Sequence, residues 1–174
     1  MDEVSLKFEN RVAVITGAAG NIGLAACRMF CESGVKVAAT DLSAEVVEKR
    51  IAPLKERGFD IRAYAQDVTD REVLRSSFDQ ILSDFGKIDI LVNNAGVWEH
   101  CDVKGRQRFE EMSIEEIRRI VDINFYGVVN CLQIVIGVIL CKQLSIIISF
   151  CRSSWAQKQS ACFGCQTCVE IFVA

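Results

Sequence analysis

One proline, one histidine and two tyrosines are all that this chain of 174 residues carries of those types. With Pro53 alone, no proline-marked linker divides it, and its length suits one domain of roughly 100–200 residues. Positive charge is not in excess. The 20 Lys and Arg stand against 23 Asp and Glu, giving −3, so there is no basic field for a nucleic-acid partner. No apolar signal segment follows Met1-Asp2-Glu3, and the nine cysteines are therefore expected to be reduced thiols of a cytoplasmic protein rather than a disulfide framework. Charge itself becomes scarce late in the chain. After residue 122 the only charged side chains are Lys142, Arg152, Lys158 and Glu170, although a quarter of the whole chain is charged. The apolar run Val128 to Phe150 is broken by Asn130, Gln133, Lys142 and Gln143, whereas a membrane span needs ~20 predominantly apolar residues. A core helix followed by a core strand is expected there, with no membrane contact.

What is present is an alternation of strand and helix. Residues 11–16, 35–40, 60–65 and 88–93 are β-branched or apolar runs, and 145–150 is a fifth. Between them lie helical patterns: 22–33 closed by Gly34, 43–57 opened by Ser43 and closed by Gly58, and one opened by Asp70 that ends at Phe85-Gly86. A polar loop from Trp98 to Met112, holding the lone His100, precedes a capping box, Ser113-Ile-Glu-Glu116, which opens a long helix towards Cys141. Strict alternation predicts an α/β fold, a parallel sheet covered on both faces.

The turn Thr16-Gly17-Ala18-Ala19-Gly20-Asn21-Ile22-Gly23 joins the first strand to the first helix. Glycines there allow a tight turn and close backbone approach, and the helix N-terminus offers free N–H groups and the positive end of its dipole to a pyrophosphate. The second strand ends at Asp41, where a carboxylate accepts hydrogen bonds from ribose hydroxyls and repels a 2′-phosphate. Leu42 follows it, and the glycine turn has no Lys or Arg, so NAD is expected over NADP. A helix-cap role before Ser43 is the plainer reading of Asp41. Asp67, with Val68, closes the third strand at the same rim, as an adenine contact or as a turn residue.

Asn93-Asn94-Ala95-Gly96 closes the fourth strand. With Thr16 to Gly23, Asp41, Asp67 and Asn124, this pattern resembles the classical short-chain dehydrogenase/reductase family over roughly residues 6–136. The resemblance implies a Rossmann-type doubly wound parallel sheet, a nicotinamide cofactor, an alcohol or ketone as small-molecule substrate, and a homo-oligomer for the full-length family. It implies that Gly17, Gly20, Asn21, Ile22 and Gly23 cradle the pyrophosphate, that Asp41 and Leu42 meet the ribose and Asp67 and Val68 the adenine. It implies too that Asn94, Ala95 and Gly96 line the cofactor. One departure is that the glycine more often found at position 21 stands here at Gly20; Asn21 tolerates unusual backbone angles well. Asn124 would be the family's catalytic asparagine, holding a water that links the catalytic lysine to solvent; otherwise it is a helix-face amide.

The family's chemistry also requires a Tyr-x-x-x-Lys pair on one helix face and a serine that steadies the substrate oxygen. Tyr64 and Tyr126 both fall too early, and neither has a lysine four residues on. Ser149 is the candidate serine, with Ser153 and Ser154 as competitors. The window where the pair belongs reads Phe163-Gly-Cys-Gln-Thr167. This chain is therefore expected to be an incomplete dinucleotide-binding domain over 1–150 with an atypical Cys-rich tail over 151–174, truncated or shifted in reading frame between Ile136 and Ser145, and inactive. A non-catalytic nucleotide-binding module is the alternative. Cys162, Cys165 and Cys168 invite a metal reading, but a credible site needs a full ligand set, and none is expected.

Overall fold

The computed structural model describes Phe8 and residues 10–97, 109–139, 146–150 and 169–173. The Cys-rich segment 151–168 and the loop with Trp98 and His100 lie outside the described residues. Six strands form one sheet: β1 (Val12–Thr16), β2 (Lys36–Asp41), β3 (Ile61–Ala65), β4 (Ile90–Asn93), β5 (Ile146–Phe150) and β6 (Val169–Val173), in the order β3-β2-β1-β4-β5-β6. The first five run parallel, the Rossmann-type arrangement expected. β1 sits between β2 and β4, pairing Val14 with Ala38 on one side and with Leu91 on the other.

Both faces of the sheet are covered across β1 to β4, and the alternation of β1 shows how. Ala13 and Ile15 pack with Cys27 and Cys31 of α1 (Asn21–Glu32) and with Val47, Ile51 and Leu54 of α2 (Ala44–Glu56). Val14 points the other way, towards Leu74, Phe78 and Ile81 of α3 (Arg71–Phe85) and Cys131 and Val135 of α5 (Gly127–Ile139). Successive strand side chains face opposite layers, so a strand buried on both sides must be apolar throughout.

The helix boundaries follow their capping residues. Ser43 Oγ accepts from Val46 N at 3.3 Å, and Asp70 Oδ1 accepts from Glu72 N and Val73 N at 3.0 and 3.1 Å. Pro53 is accommodated inside α2. α4 (Ile114–Val121) opens with the Ser113–Glu116 capping box.

Two elements differ from the sequence-based expectation. The long helix is present without a break but is not uniformly α-helical: Asp122–Tyr126 forms a π-helical turn between α4 and α5. Such insertions widen the helix locally and are frequent at functional sites. The second difference is at the sheet edge. A sheet ending at β5 leaves that strand unpaired, yet β6 pairs antiparallel with it, Ile148 opposite Ile171. Val169-Glu-Ile-Phe-Val173 is β-prone in spite of the foreign composition around it.

The run Ile114–Ile136 is long and apolar enough to cross a membrane by length and composition. It carries Glu115, Glu116, Arg118, Arg119 and Asp122; α4 has no buried residue, while Cys131 and Val135 of α5 are fully buried against the sheet.

Candidate functional site

The carboxyl ends of β1 to β4 open onto one cleft of about 540 Å³. It is lined by every residue that the sequence assigns to a dinucleotide: Gly17, Gly20, Asn21, Ile22, Gly23, Asp41, Leu42, Asp67, Val68, Asn94, Ala95 and Gly96. Loops at this rim of an open α/β sheet are where such folds take ligands.

The glycine turn is built with no room to spare. Gly17 has φ +68°, and a Cβ there would lie 2.8 Å from Ala95 Cα. At Gly23 a Cβ would collide with the Gly17 carbonyl oxygen and approach Ala18 Cα and Asn94 Nδ2 at 2.8 Å each. The absence of both side chains lets α1 begin directly against the turn. That helix start also differs from the others. The N-cap of α1 is Gly20, with no side-chain cap and no acidic residue in the first turn, whereas α2, α3 and α4 each have a capping side chain and an acid there. Uncapped N–H groups and an unneutralised helix dipole therefore face the cleft.

Asp41 closes the other wall. Its Oδ2 accepts from Ala19 N at 3.0 Å and its Oδ1 from Leu42 N at 2.8 Å, which fixes the carboxylate across the mouth of the glycine turn. It does not cap α2; Ser43 does. Asp67 Oδ1 takes Thr69 N and Thr69 Oγ1 at 2.8 and 2.7 Å, the hydrogen bonding of an Asx turn. The turn reading of Asp67 is thus present together with its place in the cleft.

Asn94 holds β4 to the glycine turn. Its Nδ2 donates to the carbonyls of Thr16 and Gly17 at 2.9 and 3.1 Å. Thr16 reciprocates: its hydroxyl oxygen accepts from Asn94 N and Ala95 N at 3.0 and 2.9 Å. The sequence reading assigned Thr16 no role, although a hydroxyl residue at a strand end before glycine is a visible signal. A second buried group lies under the floor, where the Thr40 hydroxyl donates to Gln66 Oε1 at 2.6 Å and Gln66 Nε2 donates to Ser77 Oγ at 3.1 Å. Arg118 and Arg119 also reach the cleft from α4, and no local sequence pattern announced them.

Asn124 lies in the π turn, half-buried, with both amide heteroatoms hydrogen-bonded. Its Oδ1 accepts from Val97 N at 2.8 Å, and its Nδ2 donates to Val97 O at 2.7 Å. The side chain thus mimics a strand neighbour and anchors the segment after Gly96. Ser149 is placed by the backbone of β5, opposite Asn93 of β4. Neither tyrosine is arranged for proton transfer. The Tyr64 hydroxyl donates to Asp84 Oδ2 at 2.8 Å, and burial, with Asp84 second, raises its pKa well above the ordinary phenol value. Tyr126 is half-exposed, edge-on to Phe125 at 5.3 Å. Among the described residues no cluster of His, Cys, Asp and Glu has the makings of a metal site.

The sequence model of a family described as short chain dehydrogenase matches residues 11–165. The chain belongs to the short chain dehydrogenase family. That match continues past residue 136, where the quoted motifs stop, and includes β5. Within the family the chain is 33% identical over 122 residues to 1-deoxy-11-beta-hydroxypentalenate dehydrogenase of Streptomyces exfoliatus, covering 70% of this chain and 43% of that protein. It is 30% identical over 131 residues to the 3-oxoacyl-[acyl-carrier-protein] reductase FabG of Thermotoga maritima, covering 75% and 51%. The crystal structure of NAD+-bound xylitol dehydrogenase superposes with a TM-score of 0.75 at 33% identity, covering 82% of this chain and 53% of that one. This short chain dehydrogenase sequence therefore spans about half the length of the relatives it matches.

Proposed function

We propose that this short chain dehydrogenase binds a nicotinamide dinucleotide in the cleft above β1 to β4, and NAD(H) in preference to NADP(H). The observation that carries this reading is the bare N-terminus of α1, set against glycines whose Cβ atoms would fill the cradle. Gly17, Gly20, Asn21, Ile22 and Gly23 hold the pyrophosphate through backbone N–H groups. Asp41 and Leu42 meet the adenosine ribose, with the Asp41 carboxylate opposing a 2′-phosphate. Asp67 and Val68 face the adenine, and Asn94, Ala95 and Gly96 form the wall nearest the nicotinamide. A neighbour solved with NAD+ bound supports a nicotinamide cofactor in this cleft.

When bound, the nicotinamide supplies hydride exchange with an alcohol or ketone, the small-molecule substrate class the family implies. Ser149, whose backbone pairs opposite Asn93, is the residue assigned to steady the substrate oxygen. Asn124 acts by fixing Val97, and through it the wall after Gly96. The proton is what these residues fail to move, since the 174 residues contain no Tyr-x-x-x-Lys. Loss of a general acid/base lowers turnover by ~10²–10⁴-fold, so this chain binds dinucleotide without appreciable catalysis. The test is turnover of a panel of secondary alcohols with NAD+, beside equilibrium binding of NADH. Binding with no turnover is expected; turnover of any of these alcohols at the level of the xylitol dehydrogenase acting on xylitol in parallel would contradict it. A nucleotide-binding module without an enzymatic role meets the same geometry and is favoured if no alcohol or ketone alters NADH binding.

A further inference from the structure

Beside the cleft, the turn that follows β3 is braced from an unexpected direction. Asn130, on α5, donates through Nδ2 to the Val68 carbonyl at 3.0 Å. Its Oδ1 accepts from Arg71 Nη1 at 2.8 Å, and the same Nη1 donates to Gln133 Oε1 at 2.7 Å. Asn130 is therefore a relay whose orientation is fixed: the oxygen is held by a cation, and the amide nitrogen is left to Val68. One turn earlier, Gly127 is buried, and a Cβ there would lie 2.7 Å from Val68 Cγ2. Close approach at Gly127 and the hydrogen bond from Asn130 act on the same residue from the same helix.

We propose that Asn130, oriented by Arg71 and given access by Gly127, is a positioning residue that holds the Val68–Thr69 peptide, and so sets the turn carrying Asp67 and Val68 for recognition of the adenine base. This rests on the reading of the cleft as a dinucleotide site. Val68 is only 8% exposed, and its carbonyl accepts from Asn130 Nδ2 at 3.0 Å. The N–H of the Val68–Thr69 peptide donates to Asp67 Oδ1, so losing the bond at its carbonyl end loosens the Asx turn and with it the Asp67 carboxylate that faces the base. The pyrophosphate cradle lies on α1 and is untouched by the change.

Base selectivity separates this role from a general contribution to folding. Native protein and the Asn130→Asp, Gly127→Ala and Arg71→Gln variants would be titrated with ADP and with UDP by calorimetry. An Asp at 130 still accepts from Arg71 but has no N–H for Val68. The expected result is that native protein prefers ADP and that N130D weakens ADP binding by about five- to tenfold, as for one lost hydrogen bond, while UDP binding stays within about twofold. G127A gives the same pattern, and R71Q, which alters only an exposed side chain, gives a smaller loss of the same sign. An unchanged ADP-to-UDP ratio in N130D and R71Q would overturn the proposal while leaving the dinucleotide reading intact. Equal loss of both nucleotides would also overturn it. Failure of native protein to bind either would refute the site itself.

Discussion

Gly23→Ala tests whether the glycine turn is packed as tightly as the structure shows. The added methyl meets the Gly17 carbonyl oxygen, Ala18 Cα and Asn94 Nδ2, the last two at 2.8 Å. Ordinary contact for such atoms is roughly 3.5–4.0 Å, and two of the three neighbours are backbone, so the turn and the first turn of α1 must part by roughly 1 Å. Overpacking of this kind costs about 1–3 kcal/mol, and at about 2–4 °C per kcal/mol for a chain of this size Tm falls by about 2–12 °C. Binding suffers more. Losing one charge-assisted N–H bond to a phosphate costs about 1.5–3 kcal/mol, which is roughly 10- to 100-fold in the Kd for NADH. Gly58→Ala is the control, because Gly58 has φ +85° but no atom within 4 Å of a new Cβ. It pays the left-handed strain of ~1–2 kcal/mol and leaves the cleft alone. Calorimetric titration of NADH into both variants, with thermal melts, decides the matter. NADH affinity for G23A within twofold of native, or an equal loss in G58A, would refute the reasoning.

Asn124→Asp keeps an acceptor for Val97 N but sets a second oxygen against Val97 O, 2.7 Å from the present nitrogen; a loss of about 1–3 kcal/mol is expected in denaturant unfolding, and no loss would remove its anchoring role. Asp89 accepts from Lys87 and Arg11 at 3.0 and 2.9 Å and from Val12 N at 2.8 Å. Burial alone would raise its carboxyl, but these partners outweigh burial and hold it below the usual carboxylate range. Because the folded value is the lower one, its contribution is fully present above about pH 5 and is lost as pH falls below about 4 through the folded value. Asp89→Asn should therefore flatten that acid limb of a stability-versus-pH curve and destabilise the protein at neutral pH; an unaltered limb would contradict the assignment. Burial pushes the Cys27 and Cys131 thiols up to about 12 and Cys31 to about 11. Alkylation at about pH 8 with peptide mapping should leave these three unmodified until denaturant is added, and rapid native labelling would show that the core is open.

Local signals carried most of the fold. Ser43, Asp70 and Ser113 cap the helices they announce, and β1 is apolar from Val12 to Ile15 because it is buried on both faces. The glycine turn and Asp41 were legible for the same reason, since each acts within a few residues of its strand end. The misses are non-local. The π turn at Asp122–Tyr126 leaves the apolar spacing nearly intact, and the pairing of its Asn124 with Val97 joins residues 27 apart. The Asn130–Val68 bond spans 62 positions. β6 was obscured differently: composition was averaged over the tail, and the short run Val169–Val173 was lost in it.

The account stands most directly on one titration. NADH and NADPH would be added in turn to the 174-residue protein in a calorimeter. Saturable one-to-one binding of NADH, with NADPH weaker by at least about tenfold because Asp41 opposes its 2′-phosphate, is the predicted result. Absence of NADH binding, or equal affinity for the two, would contradict it.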